Sequence, residues 1–365
     1  MHDLHRVTVV GAGRVGRAVA DRLVGSGRYA VRLAAPHIRN TKLQGHKTLD
    51  LCPLDASAYS SQLRQALLGA QAVVCATPDF ATPAVAAMAR ELGCHYLDLS
   101  ETDPWQRGLH DVAHGATCSF IPGCGLAPGL ITTWAADCAE RFGPEASITA
   151  YVGVLPLEPL NRMGYANLWG IDGLISEYTK PCRVIRGGEI RQLMPLSELE
   201  NMQIDGRQFE AFNTAGSLDA LLEPLQHRVR DLQFKTLRYP GHWDYMQFLL
   251  QDMGLHKRPS SLKSLLSNAL PPYQTDRVVM CMEVRTGPLS EVQYRQVFHL
   301  ISVADPESTG FNAVTSLSAD HVCAALDLLM SSPLPQGLLL PHTLGWSTLQ
   351  QSKFMTAFFE PLLAP

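Results

Sequence analysis

Three glycines near the amino terminus have the spacing that brings a backbone close to a phosphate. Gly11, Gly13 and Gly16 form the pattern GAGRVG, which follows the apolar run RVTVV and opens a helical pattern. In such a turn the first glycine permits a tight bend, the second leaves room for a pyrophosphate, and the third lets helix and strand pack closely. The helix N-terminus adds N–H groups and a positive dipole. We therefore expect dinucleotide binding here, with Arg14 and Val15 among the contacts; a flavin site or a purely structural turn are the alternatives.

The end of the second predicted strand bears on which nicotinamide cofactor is bound. An Asp or Glu there bonds the adenosine ribose hydroxyls of NAD, whereas nearby cations favour the 2′-phosphate of NADP. In LAAPHIRNTK the acidic position is held by Ala35. Three basic residues follow it: His37, Arg39 and Lys42. The residues thus favour NADP over NAD, unless these cations only form a solvated loop. Two further cofactor contacts are predicted after the fourth strand: Thr77 and Pro78.

Length and composition exclude several classes of protein. The chain has 365 residues, which exceeds what one hydrophobic core usually organises, so we expect two domains. Charged residues make up 18%, below the roughly 25% typical of soluble proteins, and 46% are apolar, which excludes wholesale disorder. The net charge is −4 and no run of Lys or Arg occurs, so nucleic-acid binding is not expected.

Cysteine and histidine spacing favours a reduced, metal-free protein. The nine cysteines form no CxxC pair and the thirteen histidines include no HExxH, so no metal site is predicted. The amino terminus lacks the apolar run of a signal peptide, and no stretch stays apolar for about 20 residues. We therefore expect a cytoplasmic protein without a membrane segment.

The first 140 residues alternate short aliphatic runs with helical patterns, which is typical of a parallel sheet covered by helices. Strands are predicted near 6–10, 29–35, 47–51, 71–76, 95–100 and 117–122, and helices near 14–25, 57–68 and 80–92. This order predicts an α/β fold with a Rossmann doubly wound parallel sheet, here assigned to residues 1–125.

The composition of the sequence changes after Gly125. Pro, Gly and aromatic residues become more frequent, and strand-like runs follow one another, which predicts an α+β substrate and dimerisation domain with a mixed or antiparallel sheet over 126–310. The segment 311–365 opens with a long Ala- and Leu-rich helical pattern. We expect this helix and the tail after it to return to the first domain.

Several separate blocks carry a resemblance to a known family. IPGCGLAPGLITTWAAD (121–137), NLWGIDGLISEYTKPCRVIRGGEI, FEAFNTAGSLDAL and KTLRYPGHWDYMQFL are similar to the saccharopine dehydrogenase-like family, and look most like its lysine 6-dehydrogenase branch. The branch is indicated by Ala127, Pro128 and Gly129, where saccharopine and carboxynorspermidine dehydrogenases tend to have Asp-Pro-Gly. This chain departs from the branch in two features. Lysine 6-dehydrogenases usually have an acidic residue at the position of Ala35 and use NAD. They also have a Gly-rich sequence where this chain has DLSETD (98–103).

The resemblance implies oxidation of the terminal CH–NH2 of L-lysine to a semialdehyde with loss of ammonia, in a homodimer or larger assembly. The chemistry then requires a grip on the remote carboxylate and loss of the amine proton. Arg238 is the first choice for the grip, because a guanidinium meets a carboxylate with two charge-assisted hydrogen bonds; a structural ion pair is the alternative. His242 is the predicted base, with a hydrogen-bonded structural histidine as the alternative.

Other polar residues complete the predicted site. Glu177 is a second candidate for catalysis, placed near the substrate ammonium, with Tyr178 next to it; an exposed helix-end Glu is the alternative. Asn213 and Thr214 either bind substrate or close a turn on their own backbone. Glu101, after the fifth strand, is the third catalytic candidate, because doubly wound folds bind ligands at that edge of the sheet.

Two alternative functions remain at this stage. One is a saccharopine or carboxynorspermidine type of dehydrogenase, which acts on a secondary amine. The other is a dinucleotide-binding redox sensor without catalysis.

Overall fold

The structure, a computed structural model, describes residues 4–36, 38, 46–56, 59–100, 108–271, 273, 275–287, 291–301, 310–332 and 334–359. It divides into two compact units, of which the first contains Met1–Thr133 with Thr315–Pro365 and the second Trp134–Val314. The limits drawn from the sequence, 1–125, 126–310 and 311–365, lie a few residues from these, because helices run across both boundaries.

Strands and helices alternate along the first unit. They are β1 His5–Val10, α1 Arg14–Gly25, β2 Tyr29–Ala35, β3 Leu49–Pro53, α2 Ser61–Leu67, β4 Ala72–Cys75, α3 Thr82–Leu92, β5 His95–Asp98, α4 Leu109–Ala113 and β6 Ser119–Ile121, followed by α5 Leu130–Phe142. A 3₁₀ turn, Asp79–Ala81, precedes α3. The six strands predicted from the sequence thus form; three of them, β4, β5 and β6, are shorter than predicted by two or three residues.

The first sheet has the order β6-β5-β4-β1-β2-β3, and all of its described pairings are parallel. This is the doubly wound Rossmann order, and it confirms the predicted fold class. Its strands are apolar runs because helices cover both faces; in β4, for example, all four residues are buried.

The second unit contains most of the antiparallel structure. Its elements after α5 are β7 Ser147–Pro156, α6 Ile171–Thr179, β8 Cys182–Arg186, β9 Glu189–Leu193, β10 Glu200–Ile204, β11 Arg207–Asn213, α7 Asp219–Leu225, β12 Asp231–Arg238, α8 His242–Gln247, a π-helical turn Phe248–Asp252, a 3₁₀ turn Leu255–Lys257, α9 Pro259–Ala269, β13 Asp276–Thr286 and β14 Glu291–Ile301.

The second sheet is mixed, as predicted. Its order is β10-β11-β12-β7-β13-β14, with β12 and β7 parallel and the other neighbours antiparallel. The run PCRVIRGGEI, one of the strand-like runs of this region, forms the hairpin β8–β9. Gly187 and Gly188 make its turn with φ of 58° and 81°, a backbone conformation that favours glycine.

The two faces of this sheet have different surroundings, and alternate residues of each strand belong to opposite faces. The helix-side face carries Phe212 on β11 and Arg238 on β12, and Phe212 packs in one apolar cluster with residues of α6, α8 and α9. The opposite face carries Leu237 and Tyr239, which pack with Tyr151 and other sheet residues in a second cluster.

The chain ends with α10 Ala313–Ser331, β15 Gly337–Leu338, a 3₁₀ turn Pro341–Leu344, α11 Trp346–Gln350 and α12 Thr356–Phe359. β15 adds a seventh strand, parallel to β6, where the sequence analysis counted six. A strand of two residues is too short to show a periodic pattern, which explains the difference.

Helix α10 is apolar enough, and long enough, to span a membrane by composition alone, but 67% of its most apolar window is buried inside the protein. Its polar residues pair within the first unit. Asp320 accepts a hydrogen bond from Arg22 Nε at 2.7 Å, and Asp327 accepts one from Tyr29 Oη at 2.6 Å. These contacts are those of a core helix that packs on α1 and β2.

Candidate functional site

The glycine turn after β1 is built by close backbone approaches. Gly11 has a φ of 105°, and a Cβ placed on it would lie 2.3 Å from the Ala76 carbonyl oxygen. A Cβ on Gly16 would lie 1.9 Å from the Gly11 carbonyl oxygen. Neither position accepts a side chain, so both glycines are required by the packing of β1, α1 and the segment after β4.

Gly13 differs from its neighbours because its surroundings are open. It occupies the N-cap position of α1 with φ −67°, and a Cβ there would meet none of the described residues within 4 Å. The space in front of it faces the helix N-terminus, where N–H groups and the dipole favour an anion. Arg14 is exposed and Val15 half-buried on the first turn of α1. This arrangement fits the pyrophosphate of a dinucleotide.

The residues predicted to contact the rest of the cofactor lie at or after the carboxyl ends of the two strands on either side of β1. Ala35 ends β2 and is buried, with no carboxylate at its position. Thr77 is half-buried and Pro78 exposed in the segment after β4, and Thr77 Oγ1 lies 3.1 Å from Cys75 Sγ. Arg39, with His37 and Lys42, falls outside the residues that the structure describes.

Asp98 fixes two loops at the same edge of the sheet. It is fully buried, and its Oδ1 accepts hydrogen bonds from the backbone N–H of Ser100 at 3.1 Å and of Gly123 at 2.9 Å. Its Oδ2 accepts one from Tyr96 Oη at 2.9 Å. Asp98 therefore has a structural part in joining the ends of β5 and β6. Glu101, the candidate nearby, lies outside the described residues.

Arg238 is a buried charged residue on the helix-side face of the second unit. It ends β12 and only 2% of its surface is exposed. Nε donates to Tyr178 Oη at 2.8 Å and Nη1 donates to the Leu237 carbonyl oxygen at 2.9 Å. The guanidinium carbon lies 4.9 Å from the ring centroid of Tyr165 and 5.8 Å from that of Tyr178, so cation–π attraction adds to the hydrogen bonds.

This buried guanidinium has no ion-pair partner among the described residues. Glu177, half-buried on α6, attracts Arg238 electrostatically without forming a salt bridge with it. A buried charge without a hydrogen-bonded counter-ion is costly, so the site has an unmet preference for an anion. A carboxylate is the anion whose geometry matches the remaining N–H groups.

His242, the first residue of α8, contacts the same group. It is fully buried, with Nε2 3.1 Å from Tyr178 Oη and Nδ1 2.9 Å from the Met163 carbonyl oxygen. Burial and the nearby Arg238 charge lower the pKa of His242 to about 3. The imidazole is therefore neutral at physiological pH, and both ring nitrogens already have partners.

The structure brings some of the predicted substrate residues together and separates others. Arg238, Tyr178 and His242 are in direct contact, and Thr214 Oγ1 lies 2.7 Å from Thr236 Oγ1 on the same face. Asn213 lies on the opposite face. It pairs in register with Lys235, and its Nδ2 donates to the Ser197 carbonyl oxygen at 3.3 Å and to Glu198 Oε2 at 3.1 Å.

Comparisons with known proteins match both units. The saccharopine dehydrogenase C-terminal domain profile matches residues 125–351, and the saccharopine dehydrogenase NADP binding domain profile matches residues 7–119. The chain belongs to the saccharopine dehydrogenase family. It is thus an NAD(P)-dependent oxidoreductase, and the enzymes of this family act on CH–NH2 or CH–NH donors.

Solved structures share the fold. Apo saccharopine dehydrogenase (L-Glu forming) from Saccharomyces cerevisiae is 16% identical with a TM-score of 0.76, covering 98% of this chain and 97% of its own. Homospermidine synthase from Legionella pneumophila, in complex with NAD, is 10% identical with a TM-score of 0.68, covering 97% of this chain and 89% of its own.

Several residues that contact the group around Arg238 were not predicted from the sequence. Tyr165 stacks on the guanidinium, and Met163 supplies the carbonyl that holds His242. Glu210 accepts hydrogen bonds from the N–H groups of Gly241 at 2.7 Å and Trp243 at 3.0 Å, and so caps α8. The aromatic residues of GYANLW are the one local signal that points to this group. Among the described residues no cluster of His, Cys, Asp and Glu has the arrangement of a metal site.

Proposed function

We propose that this family member oxidises the terminal CH–NH2 of L-lysine, and that Arg238 holds the substrate carboxylate. The observation that carries the proposal is the buried guanidinium, which contacts two tyrosines and forms no salt bridge with a carboxylate of the described chain. A substrate carboxylate would supply the missing counter-ion through two parallel hydrogen bonds.

The charge of this face supports a substrate with one carboxylate. Buried cations of the second unit are Lys235, Arg238 and Arg277, and the register of β7, β12 and β13 puts Lys235 and Arg277 on the opposite face. Arg238 is thus the one buried cation on the helix-side face among the described residues. Saccharopine, a secondary amine with three carboxylates, would need cations in addition to the one buried guanidinium that the described residues place on this face.

The reaction balances as two steps. The neutral amine loses a hydride from its terminal carbon, giving an iminium ion, and water then replaces nitrogen to give the aldehyde and ammonium. The bound nicotinamide supplies the hydride acceptor. On this proposal Gly13 and the N-terminus of α1 bind the pyrophosphate, and Glu177 attracts the substrate ammonium. Glu101 and Thr214 stay predicted contacts.

The cofactor preference is part of the proposal. Ala35 ends β2 without the carboxylate that bonds the ribose hydroxyls of NAD, which supports NADP as the preferred form. The homodimer stays a prediction, to be measured by sedimentation.

A substrate panel tests the function. Purified protein is given L-lysine, saccharopine and diamines, each with NAD and with NADP, and the reduced cofactor and ammonia are measured together. Equal amounts of both products from L-lysine, without any keto acid, would support the proposal. Turnover of saccharopine without ammonia would replace it by the secondary-amine alternative. Cofactor binding without turnover of any amine would instead indicate a sensor.

A further inference from the structure

One chain of hydrogen bonds runs from Arg238 to the backbone of the loop before α6. Arg238 Nε contacts Tyr178 Oη at 2.8 Å, Tyr178 Oη contacts His242 Nε2 at 3.1 Å, and His242 Nδ1 contacts the Met163 carbonyl oxygen at 2.9 Å. All three side chains are fully or almost fully buried. Each bond is therefore made at low dielectric, where its direction matters most.

With a neutral imidazole, the donors and acceptors of this chain have only one consistent assignment. A carbonyl oxygen can only accept, so the proton of His242 must be on Nδ1, donated to Met163. Nε2 of the neutral ring is then an acceptor, and Tyr178 must donate its hydroxyl proton to it. The Tyr178 oxygen is left to accept from Arg238 Nε. Every donor thus points from Arg238 toward the Met163 carbonyl.

The surroundings hold His242 and the Met163 loop in place. The His242 ring stacks on Phe212, with an interplanar angle of 11°, and meets the edges of Tyr165 and Tyr178. Glu210 fixes the turn that carries His242 by accepting from the N–H groups on both sides of it. Asn161 Nδ2 fixes the loop that carries Met163 by donating to the Tyr165 carbonyl oxygen at 2.8 Å.

We propose that Tyr178 and His242 are positioning residues for Arg238, and that His242 does not take the proton of the substrate amine. The imidazole fixes the direction of the Tyr178 hydroxyl, and the hydroxyl oxygen then fixes the plane of the guanidinium. The hydroxyl proton is directed at His242, so Tyr178 does not donate to substrate either. This inference rests on the proposed function, because the group being positioned is the one proposed to hold the substrate carboxylate.

Two substitutions of His242 separate positioning from proton transfer. In His242→Gln the amide oxygen can still accept from Tyr178, although it cannot act as a base near neutral pH. His242→Leu removes the acceptor altogether. We expect the KM for L-lysine to rise about tenfold or more in His242→Leu and Tyr178→Phe, with smaller changes in kcat. His242→Gln restores KM to within a few fold and keeps the wild-type pH profile of kcat.

Tyr239→Phe is the matched control. Tyr239 follows Arg238 in the chain but lies on the opposite face, where its hydroxyl donates to the Pro156 carbonyl oxygen at 2.9 Å. Its loss removes a buried tyrosine hydroxyl and some stability without touching the chain from Arg238 to Met163. We expect its KM for L-lysine to equal that of the wild type. An equal rise of KM in Tyr239→Phe and Tyr178→Phe would overturn the positioning role.

Nitrogen-15 NMR of the histidine rings tests the same inference without a substrate. The His242 signals are assigned by their absence in His242→Gln, and we expect a neutral ring with its proton on Nδ1 from pH 8 to about pH 5. A ring protonated on Nε2, or one that titrates near pH 6.5, would overturn the proposal. So would a large loss of kcat in both His242→Gln and His242→Leu, because both variants lack a base at this position. A wild-type protein that does not oxidise L-lysine would refute the proposed function and leave the NMR result to decide this one.

Discussion

Glu210 and Arg238 are register partners on β11 and β12, on the same face of the sheet, yet they form no ion pair. The carboxylate instead accepts the N–H groups of Gly241 and Trp243 at the start of α8. The residue best placed to neutralise Arg238 is thus committed to a helix cap. The positive charge of Arg238 remains available to a ligand.

The cap leads to a prediction about stability. Glu210→Ala leaves two partly buried N–H groups at the start of α8 without their acceptor, so we expect a loss of about 1–3 kcal/mol in the free energy of unfolding. Glu210→Gln keeps one acceptor oxygen and loses less. Urea denaturation of the cofactor-free protein measures both, and equal stability of Glu210→Ala and wild type would contradict the assigned cap.

Replacing Arg238 is expected to affect protein stability and substrate binding in opposite ways. Because its charge is buried without a counter-ion in the described chain, Arg238→Met is expected to be as stable as the wild type, or more stable by about 1–4 kcal/mol. The same change raises the KM for L-lysine by about tenfold or more and leaves the KM for the cofactor nearly unchanged. Equal effects on the two KM values would assign Arg238 to scaffolding.

Lys235→Met is the matched control for that substitution. Lys235 is as well buried as Arg238, but its Nζ donates to the Glu198 carbonyl oxygen at 2.8 Å and lies 3.3 Å from Glu200 Oε2. Its removal takes the hydrogen bond from the Glu198 carbonyl oxygen and the ion-pair partner from the partly exposed Glu200, so we expect a loss of stability with no change in the KM for L-lysine.

The glycine turn predicts different outcomes at neighbouring positions. Gly13→Ala has space for its methyl group, so the cofactor-free protein is expected to unfold at the wild-type denaturant concentration. The same methyl group blocks the approach of a phosphate, and calorimetry is expected to show cofactor affinity reduced about tenfold or more. Gly16→Ala meets the Gly11 carbonyl and is expected to lose more than about 2 kcal/mol of stability. Wild-type cofactor affinity in Gly13→Ala would show that the glycine turn does not contact the cofactor.

Ala35 predicts a shift in cofactor preference. Ala35→Asp places a carboxylate where it can bond the ribose hydroxyls of NAD and repel the 2′-phosphate of NADP. We expect the ratio of kcat/KM for NAD to that for NADP to rise by about tenfold or more. Ala35→Asn has the same shape without the charge and is expected to change this ratio less. An unchanged ratio in Ala35→Asp would place the adenosine ribose away from the end of β2.

Buried histidines predict how stability depends on pH. Burial lowers the pKa of His242 to about 3 and of His321, on α10, to about 4, from the ordinary value of 6.5. Below pH 6.5 these histidines bind protons in the unfolded chain but not in the folded protein, so the free energy of unfolding falls as the pH falls. The fall ends near pH 4 for His321 and near pH 3 for His242, where the folded protein also takes up the proton. Each histidine contributes up to about 1.4 kcal/mol per pH unit within that range.

Unfolding measured from pH 7.5 to 5.5 tests this, because unfolded carboxylates stay largely ionised in that interval. His321→Asn is expected to lower the slope of the unfolding free energy against pH by the equivalent of up to one proton taken up on unfolding, about 1.4 kcal/mol per pH unit. The same slope in His321→Asn and wild type would mean that His321 takes up its proton in the folded state.

The sequence by itself determined the first sheet because its signals are local. A glycine spacing after an apolar run, and strands alternating with helical patterns, are fixed by neighbours in the chain, and the observed bounds of β1, α1 and β2 follow them within a residue. Only the two-residue strand β15 lacked such a signal. The helical segment 242–269 was likewise missed, because its turns are short and interrupted by π and 3₁₀ geometry.

The composition of the site around Arg238 was only partly visible in the sequence. Arg238, Tyr178 and His242 were found by residue type, but Asn213 was grouped with them although it faces the other way. A shift of one residue along a strand reverses the face, and only the register of β11 with β12 decides it. The roles of Glu210 and Met163 depend on contacts between segments distant in the chain. Tertiary structure alone decides which buried charge is neutralised, and here it leaves Arg238 unpaired within the described chain.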